Sequence, residues 1–579
     1  MKDKTRVTKV INYFLYYLLL SLSTFSPQAF SETPAVQTDS DNAGDFATGR
    51  VNQYSSSFEL TNRVASTETT FPDWEALDLT FNSVGLIRDD EQSRIFYSIG
   101  SGYDKVKNFS TIVNYSTNLG YQIGFNNGPT VTNGAIYDLG DITYGSSITI
   151  QIYKDGSLAL DSPIIFSNLP VVMIKAESIT DEPKRPAIFR LTSHEYGQDS
   201  TRLNMGIEYR GNTAQQYPKK PYGIEFTKSP TLEKNQKVQL LNMRKDDDWI
   251  LDASYRDTSF VRNLVSQDLW RDMQQFAFID NDGNGRGQPS IKGALTEVIQ
   301  NNQYQGIYLL EEAKVDRKLL DLTKIDVPTD TSGIEHWDQV DFSLPSNKSV
   351  LYYAQSNQAT MEFPDTVPQD FKQRYPKAAD IDHFGPLQDL ISFVVNANDD
   401  EFIAHINDWV DIDNIVNFWL LTGITQSVDT LKKNYFLARN EDQKFFMTPW
   451  GFDATFGMRW NGGKKEGTGW WNSSLNHLIK RLYELPDTGF NTKVKAKWNE
   501  LKTTLFSQNA IMARFETYSA QLRPITGGMN NAFERNKTRW PDSGGQGSNN
   551  PEVGDTDYIR AWLQRHIQFL ERIISKLPG

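Results

Sequence analysis

The spacing of apolar residues changes once along this chain, and that change limits the folds open to it. Between Trp74 and Leu169 the apolar residues come in short alternating runs: Leu77 to Phe81, Gln92 to Ile99, Ser147 to Tyr153 and Pro163 to Phe166. Asn-Gly and Asp-Gly turn signals separate them. Period-two alternation predicts half-buried strands, and strands at this spacing predict a small antiparallel sandwich. From Phe384 onward the period lengthens. Leu387 to Val395 and Ile412 to Leu421 carry the 3.6-residue helical repeat, and residues 474 to 579 read mostly as amphipathic helices. Strand-rich sequence followed by helix-rich sequence predicts an α+β chain. At 579 residues it is too long for one core, so two or three domains are expected.

No cysteine occurs anywhere, which removes disulfides, thiolate zinc sites and cysteine nucleophiles. Stability must then come from burial, for which 38% hydrophobic and 12% aromatic content is sufficient. The net charge of −13 argues against nucleic-acid binding, which rests on clustered cations. At the amino terminus Lys2, Lys4, Arg6 and Lys9 precede the apolar run Ile11 to Phe25, and Ala29 and Ser31 follow at cleavage-site spacing. These features predict a signal peptide over residues 1–31, and hence an exported protein: periplasmic, cell-surface or secreted. No transmembrane span is expected after cleavage. Residues 32–68, polar and aperiodic, predict a flexible leader. Residues 69–168 are expected to form the β-sandwich as an accessory module, a spacer or a binding surface. Residues 169–579 form the remaining domain.

Within that domain, Asn204 to Phe226 reads as strand, polar loop and strand, with Arg210 in the loop and Lys219 and Lys220 entering the second strand. Such a loop offers backbone N–H groups and cations to an oligophosphate, although an ordinary hairpin with exposed lysines has the same pattern. A helix is expected from Thr258 to Phe276. Asp280 to Gly285 resembles the opening of a calcium loop, but its twelfth position is Ile291, so it reads as a turn. Two strands follow, the second ending in Glu311, Glu312 and then Lys314. Residues 326 to 380 read as a surface loop. The helix from Ile412 leads directly to Asp429, with Asn434 five positions on, a hairpin-like segment, and then Asp453 followed by Phe456 and Gly457. Phosphoryl-transfer enzymes of the protein-kinase type place an acceptor-facing Asp, a metal-binding Asn and a second metal-binding Asp in this order.

Five motifs in sequence resemble the CotH kinase family (spore coat protein H-like). They are Arg210 to Thr213 with Pro218 to Tyr222, Asp248 to Leu251 with Asp257, Arg262 and Asn263, Gln303 to Glu312, Asp429-x4-Asn434, and Trp450 to Gly457. The resemblance covers residues 169 to 575. It implies an atypical protein-kinase-like two-lobed fold, with a β-rich N-lobe near 169–325 and a helical C-lobe near 380–579. It also implies ATP with Mg²⁺ or Mn²⁺. Asp429 then looks like the catalytic acid/base, and Asn434 and Asp453 like metal ligands. Arg210 and Lys219 or Lys220 would meet the phosphates, and Glu311, Glu312 and Lys314 would line the adenine end. One departure stands out: the family commonly has an acid where this chain has Gly451, and its loss weakens the metal side.

The expected activity is therefore phosphoryl transfer from ATP to Ser or Thr of a partner protein. The alternatives are a non-catalytic surface adhesion or scaffold protein, and nucleotidyl transfer through the same residues. A glycoside hydrolase fits less well, because its paired acids would not group with Asn and Phe-Gly.

Overall fold

The computed structural model describes residues 73–578, apart from 101–104, 144, 146, 200–201, 275–286, 326–345, 378–380, 469–474, 525–529 and 545–550. The expected signal peptide, the leader and the Asp280–Gly285 turn lie outside the described residues. The chain from Thr69 to Gly579 forms one compact unit, of mixed α and β composition. Among the described residues no helix is long and apolar enough to cross a membrane.

The first 95 or so described residues build two facing sheets. One has four strands, in the order Val84–Gly85, Thr80–Phe81, Ser110–Asn114, Ala135–Asp138. The other has six, in the order Ile87–Asp89, Arg94–Ser98, Ser157–Ser167, Ser147–Lys154, Tyr121–Phe125, Thr130–Val131. Alternate residues such as Ile148, Ile150 and Ile152 point into a shared core with Phe81, Tyr97 and Phe125, as the period-two pattern requires. The antiparallel expectation needs one correction, since Arg94–Ser98 runs parallel to Ser157–Ser167. The two strands are far apart in sequence and need no hairpin between them.

Eight strands follow: β1 (Val171–Ala176), β2 (Arg185–Ser193), β3 (Gln198–Asp199), β4 (Leu203–Tyr209), β5 (Tyr222–Thr227), β6 (Asp248–Asp252), β7 (Gly293–Gln300) and β8 (Gln303–Glu312). They pair in the order β1-β7-β8-β6-β5-β4-β2-β3, and β1 also pairs with β2. That extra pairing closes the sheet into a barrel, which removes its long edges. Phe189, Met205, Ile224, Trp249, Leu251, Val298, Tyr308 and Leu310 fill the interior. On β8 the alternate residues Ile307 and Leu309 face outward into a second core.

That second core belongs to the helices: α1 (Arg262–Met273), α2 (Gly385–Asn396), α3 (Asp399–Trp409), α4 (Ile412–Thr425), α5 (His477–Glu484), α6 (Phe490–Leu501), α7 (Gln508–Leu522), α8 (Ala532–Arg539) and α9 (Thr556–Ser575). Polar side chains cap several of them. Asn398, Asp411, Asn476, Ser507 and Asn531 each accept a hydrogen bond from a first-turn backbone N–H. Nearly every residue of α4 is buried, which explains its apolar sequence all round and its place at the centre. The stretch expected as a surface loop carries two strands, β9 (Val350–Ala354) and β10 (Phe371–Tyr375). They join β11 (Tyr435–Arg439) and β12 (Phe445–Pro449) in a four-stranded sheet of order β10-β9-β11-β12. Short apolar and alternating runs among polar residues become strands here because β11 offers them an edge to pair with.

Candidate active site

The loop from Asp429 to Gly457 takes its shape from what precedes it. Helix α4 ends on Gln426 in the left-handed conformation, and a short 3₁₀ turn, Asp429–Leu431, follows. Buried Thr430 and Leu431 anchor that turn, leaving the Asp429 carboxylate about half exposed. Lys432 and Lys433 lie 3.8 and 3.7 Å from it. Asn434 has φ +56°, a conformation that Asn tolerates better than most residues. Its backbone N–H donates to the Ala354 carbonyl, and its own carbonyl accepts from Trp450 N–H. The Tyr353 hydroxyl donates to its Oδ1 at 3.0 Å. These bonds fix the Asn434 side chain at the point where β9, β11 and β12 meet.

The start of α1 holds the opposite side. Arg262 is fully buried and pairs with Asp257. It also donates to the Thr455 carbonyl at 2.9 Å and the Phe456 carbonyl at 3.2 Å. Its neighbour Asn263 accepts from Phe452 N–H at 3.0 Å. The turn that carries Asp453 is therefore tied on both sides of that residue to one helix N-terminus.

Between these supports lies a cavity of about 490 Å³, lined among others by Arg210, Lys219, Asp252, Glu311, Lys433, Asn434, Gly451 and Asp453. Five residues singled out from sequence meet here: Arg210, Lys219, Glu311, Asn434 and Asp453. Asp429 does not line the cavity, but its charge acts on Asp453 and its ion-pair partner Lys433 forms part of the wall. Lys220 turns the other way and donates to the Gln215 carbonyl at 2.7 Å. Glu312 points to the opposite face of β8 from Glu311, as adjacent strand residues must. There it accepts from the N–H groups of Arg244 and Lys292 at 2.8 and 3.0 Å. Lys314 pairs with Asp248 and lines a neighbouring cavity of about 630 Å³ with Trp249, Ala313, Phe436 and Arg374. The two cavities share Arg210, Tyr353 and Trp450.

The electrostatics follow from this crowding. Asp453 lines the cavity and is itself exposed to solvent, with protein packed closely around it. Burial first, then the charges of Asp252, Asp257 and Asp429, push it up to about 6, against a lowering hydrogen bond from its own backbone. Glu311 lies well above the usual carboxylate range because of burial, Asp252 and Asp453, with Arg210 opposing. Burial pulls Lys219 down to about 7, and Asp252 offsets part of this. Lys465, whose ammonium donates to the Gln426 carbonyl at 2.7 Å, is lowered by burial to about 8, with Asp429 opposing. Four acids, Asp252, Asp257, Glu311 and Asp453, line one cavity and resist sharing negative charge, and the candidate donors there are oxygen, which suits a hard divalent cation.

Sequence reading passed over Asp252, Tyr353 and Lys433 as site residues. Asp252 follows directly on the Asp248–Leu251 motif with nothing local to mark it, and Tyr353 sits in the stretch expected to be loop. Gly451 has φ +71°, and a Cβ there would meet only Asn434, at 3.7 Å. The missing acid therefore leaves open space beside Asn434.

A family model described as CotH kinase protein matches residues 207–570. Inner spore coat protein H of Bacillus subtilis (strain 168) is 23% identical over 354 residues, 60% of this chain and 83% of that protein. The family match spans more than half of the chain and takes in the cavity, the turn that carries Asp453 and the helices behind both. The chain belongs to the CotH kinase protein family.

Proposed function

We propose that this chain is an exported phosphotransferase that moves the γ-phosphoryl group of ATP to a Ser or Thr hydroxyl of a partner protein. The observation that carries the reading is the convergence on one cavity of two cations, Arg210 and Lys219, with Asn434 and Asp453, and with Asp429 paired to the wall residue Lys433. On this reading the barrel and helical part form two lobes of a kinase-like fold with the cavity between them. Arg210 and Lys219 bind the phosphates. The adjoining cavity between Trp249 and Phe436 takes the base, with the backbone of Ala313 and Lys314 at its edge.

The donor set fits Mg²⁺ or Mn²⁺: Asn434 and Asp453 would hold it, and it would supply neutralisation of phosphate charge. Asp429 orients the acceptor hydroxyl and takes its proton as the oxygen bonds to phosphorus and ADP departs. Lys432 and Lys433 hold the Asp429 carboxylate in place through their ion pairs. Positioning and charge complementarity carry most of the rate. The name of the Bacillus relative, a spore coat protein, supports action at a cell or spore surface.

The experiment is transfer from labelled ATP with Mn²⁺ to the chain itself and to surface proteins, with the product identified by mass spectrometry. Wild type should add a phosphoryl group, and Asp453→Ala and Asp429→Asn should each lose about a hundredfold in rate or more. Addition of a nucleotide instead would reassign the chemistry to nucleotidyl transfer. The open space at Gly451 favours a second reading, a surface scaffold that uses the fold without catalysis. Unchanged transfer in Asp453→Ala, or no transfer and no ATP–Mn²⁺ binding by wild type, would favour it.

A further inference from the structure

Lys219 lines the cavity, and among the described residues no carboxylate forms an ion pair with its ammonium. Its hydrogen bonds go to the Ile307 carbonyl and, at 3.1 Å, to Oδ1 of Asn536. Asn536 lies on α8, 317 residues further along the chain. We propose that Asn536 is a positioning residue: its neutral amide fixes the Lys219 ammonium on the cavity wall and sets its basicity without cancelling its charge. The inference rests on the reading of Lys219 as a phosphate-binding residue.

Three features show that the contact is built rather than incidental. The same Oδ1 accepts from Ile307 N–H at 3.0 Å, beside the bulge where β7 and β8 shift register. Gly306 adopts φ +94°, and a Cβ there would lie 2.2 Å from that oxygen, so only glycine lets the amide approach. Helix α8 is itself clamped to the barrel, because Arg535 makes two bonds to Glu297 at 2.9 and 2.6 Å. An oxygen accepting from two N–H donors also assigns the amide's orientation.

The consequence is chemical. A carboxylate at this position would form an ion pair with Lys219 and compete with an incoming phosphate. An amide stabilises the ammonium weakly and leaves its charge for the ligand. The rings of Tyr308 and Phe260, 4.5 and 5.2 Å from the nitrogen, help by facing the cation. Among the described residues, the groups facing Lys219 are Asp252 from β6 and Tyr308 from β8, while Arg210, Arg256, Asp257, Glu311, Lys433 and Asp453 share the cavity wall. Helix α8 directs Arg535 to Glu297 and Arg539 to Glu91, and its third cation, Lys537, is exposed to solvent. Burial against this sparse set accounts for the depressed Lys219, so phosphate binding near neutral pH should draw a proton onto the amine.

The test follows Lys219 directly. The full chain is labelled with a small amine-reactive reagent between about pH 6 and pH 10, and modification of Lys219 is read site by site by mass spectrometry. Binding of ATP with Mn²⁺ is measured in parallel. Asn536→Ala should move the Lys219 labelling midpoint down and weaken ATP by about tenfold or more. Asn536→Asp, close in shape and expected to fold, should move the midpoint up by about one pH unit or more and also weaken ATP. Midpoints unchanged in both variants would overturn the inference, even with ATP binding intact. Midpoints that shift as stated while wild type binds no ATP would support the positioning role and count against the nucleotide reading alone.

Discussion

Asp453 carries its charge at a cost to the fold. Burial and the neighbouring acids raise it to about 6, above the value of about 3.8 to 3.9 expected in an unfolded chain. Between those values the folded state binds more protons than the unfolded state, so stability falls as pH rises through the window and the full cost remains above it. Replacing Asp453 with Asn should therefore raise the unfolding temperature at neutral pH. The gain is on the order of 1 kcal/mol, because the carboxylate stays open to solvent and part of the penalty is screened. Mn²⁺ should stabilise wild type and leave Asp453→Asn unaffected. Thermal unfolding followed by circular dichroism, with and without Mn²⁺, checks both; a lower unfolding temperature for the variant would count against this account of the site. Such a trade of stability for function is common where charged groups converge.

At the scale of elements, the site is held by the N-terminus of α1. Asn263 and Arg262 reach the backbone of the Asp453 turn on both sides of Asp453. Asn263→Ala leaves the Phe452 N–H without its acceptor, which should cost about 1–3 kcal/mol. Because the loss falls on the turn, Mn²⁺ and ATP affinity should drop further than overall stability predicts. Chemical denaturation and calorimetric binding on the same variant separate the two. Equal losses would mean that the bond is only structural. The strands β9 and β10 also act at this scale: β9, paired with β10, brings Tyr353 to Asn434, and without it the Asn434 amide would lose a bond that orients it.

Across the whole molecule, the sandwich and the barrel share a packed junction. Ile87, Phe96 and Ile165 meet Val171, Met173, Ile299 and Tyr304 in one cluster, and Phe96 stacks on Tyr304 with centroids 5.5 Å apart. At its edge, Glu297 accepts from Arg535, from Ser167 at the end of the sandwich and from Tyr304. Burial opposes the Glu297 charge, but Arg535 together with the hydrogen bonds from Ser167 and Tyr304 outweighs it and holds the carboxyl below its usual range. The sandwich expected as a spacer or binding surface thus packs against the barrel through this cluster. Glu297→Ala should destabilise the chain by about 3–5 kcal/mol, since it strands a buried guanidinium. The double change Glu297→Leu with Arg535→Met should recover much of that loss. Denaturant midpoints for the two variants, compared with wild type, check this. A double variant no better than the single one would show that the pair itself supplies the stability.

What the sequence determined by itself was whatever depends on near neighbours. The period-two runs, the 3.6-residue repeats and the order Asp429, Asn434, Asp453 are local patterns, and the α+β character and the family could be read from them. Side-chain facing within a strand is local too, but which face meets the cavity is not. Glu311 and Glu312 differ only in parity, and the closure of the barrel decides that Glu311 faces the site. The same holds for Lys219 against Lys220, which the hairpin alone left equivalent. Asn536 and Arg535 lie hundreds of residues from the groups they hold, so no spacing rule could connect them. Contacts of that kind exist only once burial has paired distant surfaces, because their energy comes from removing polar groups from water together. The tertiary structure alone decided which lysine sits on the cavity wall and which helix holds it there.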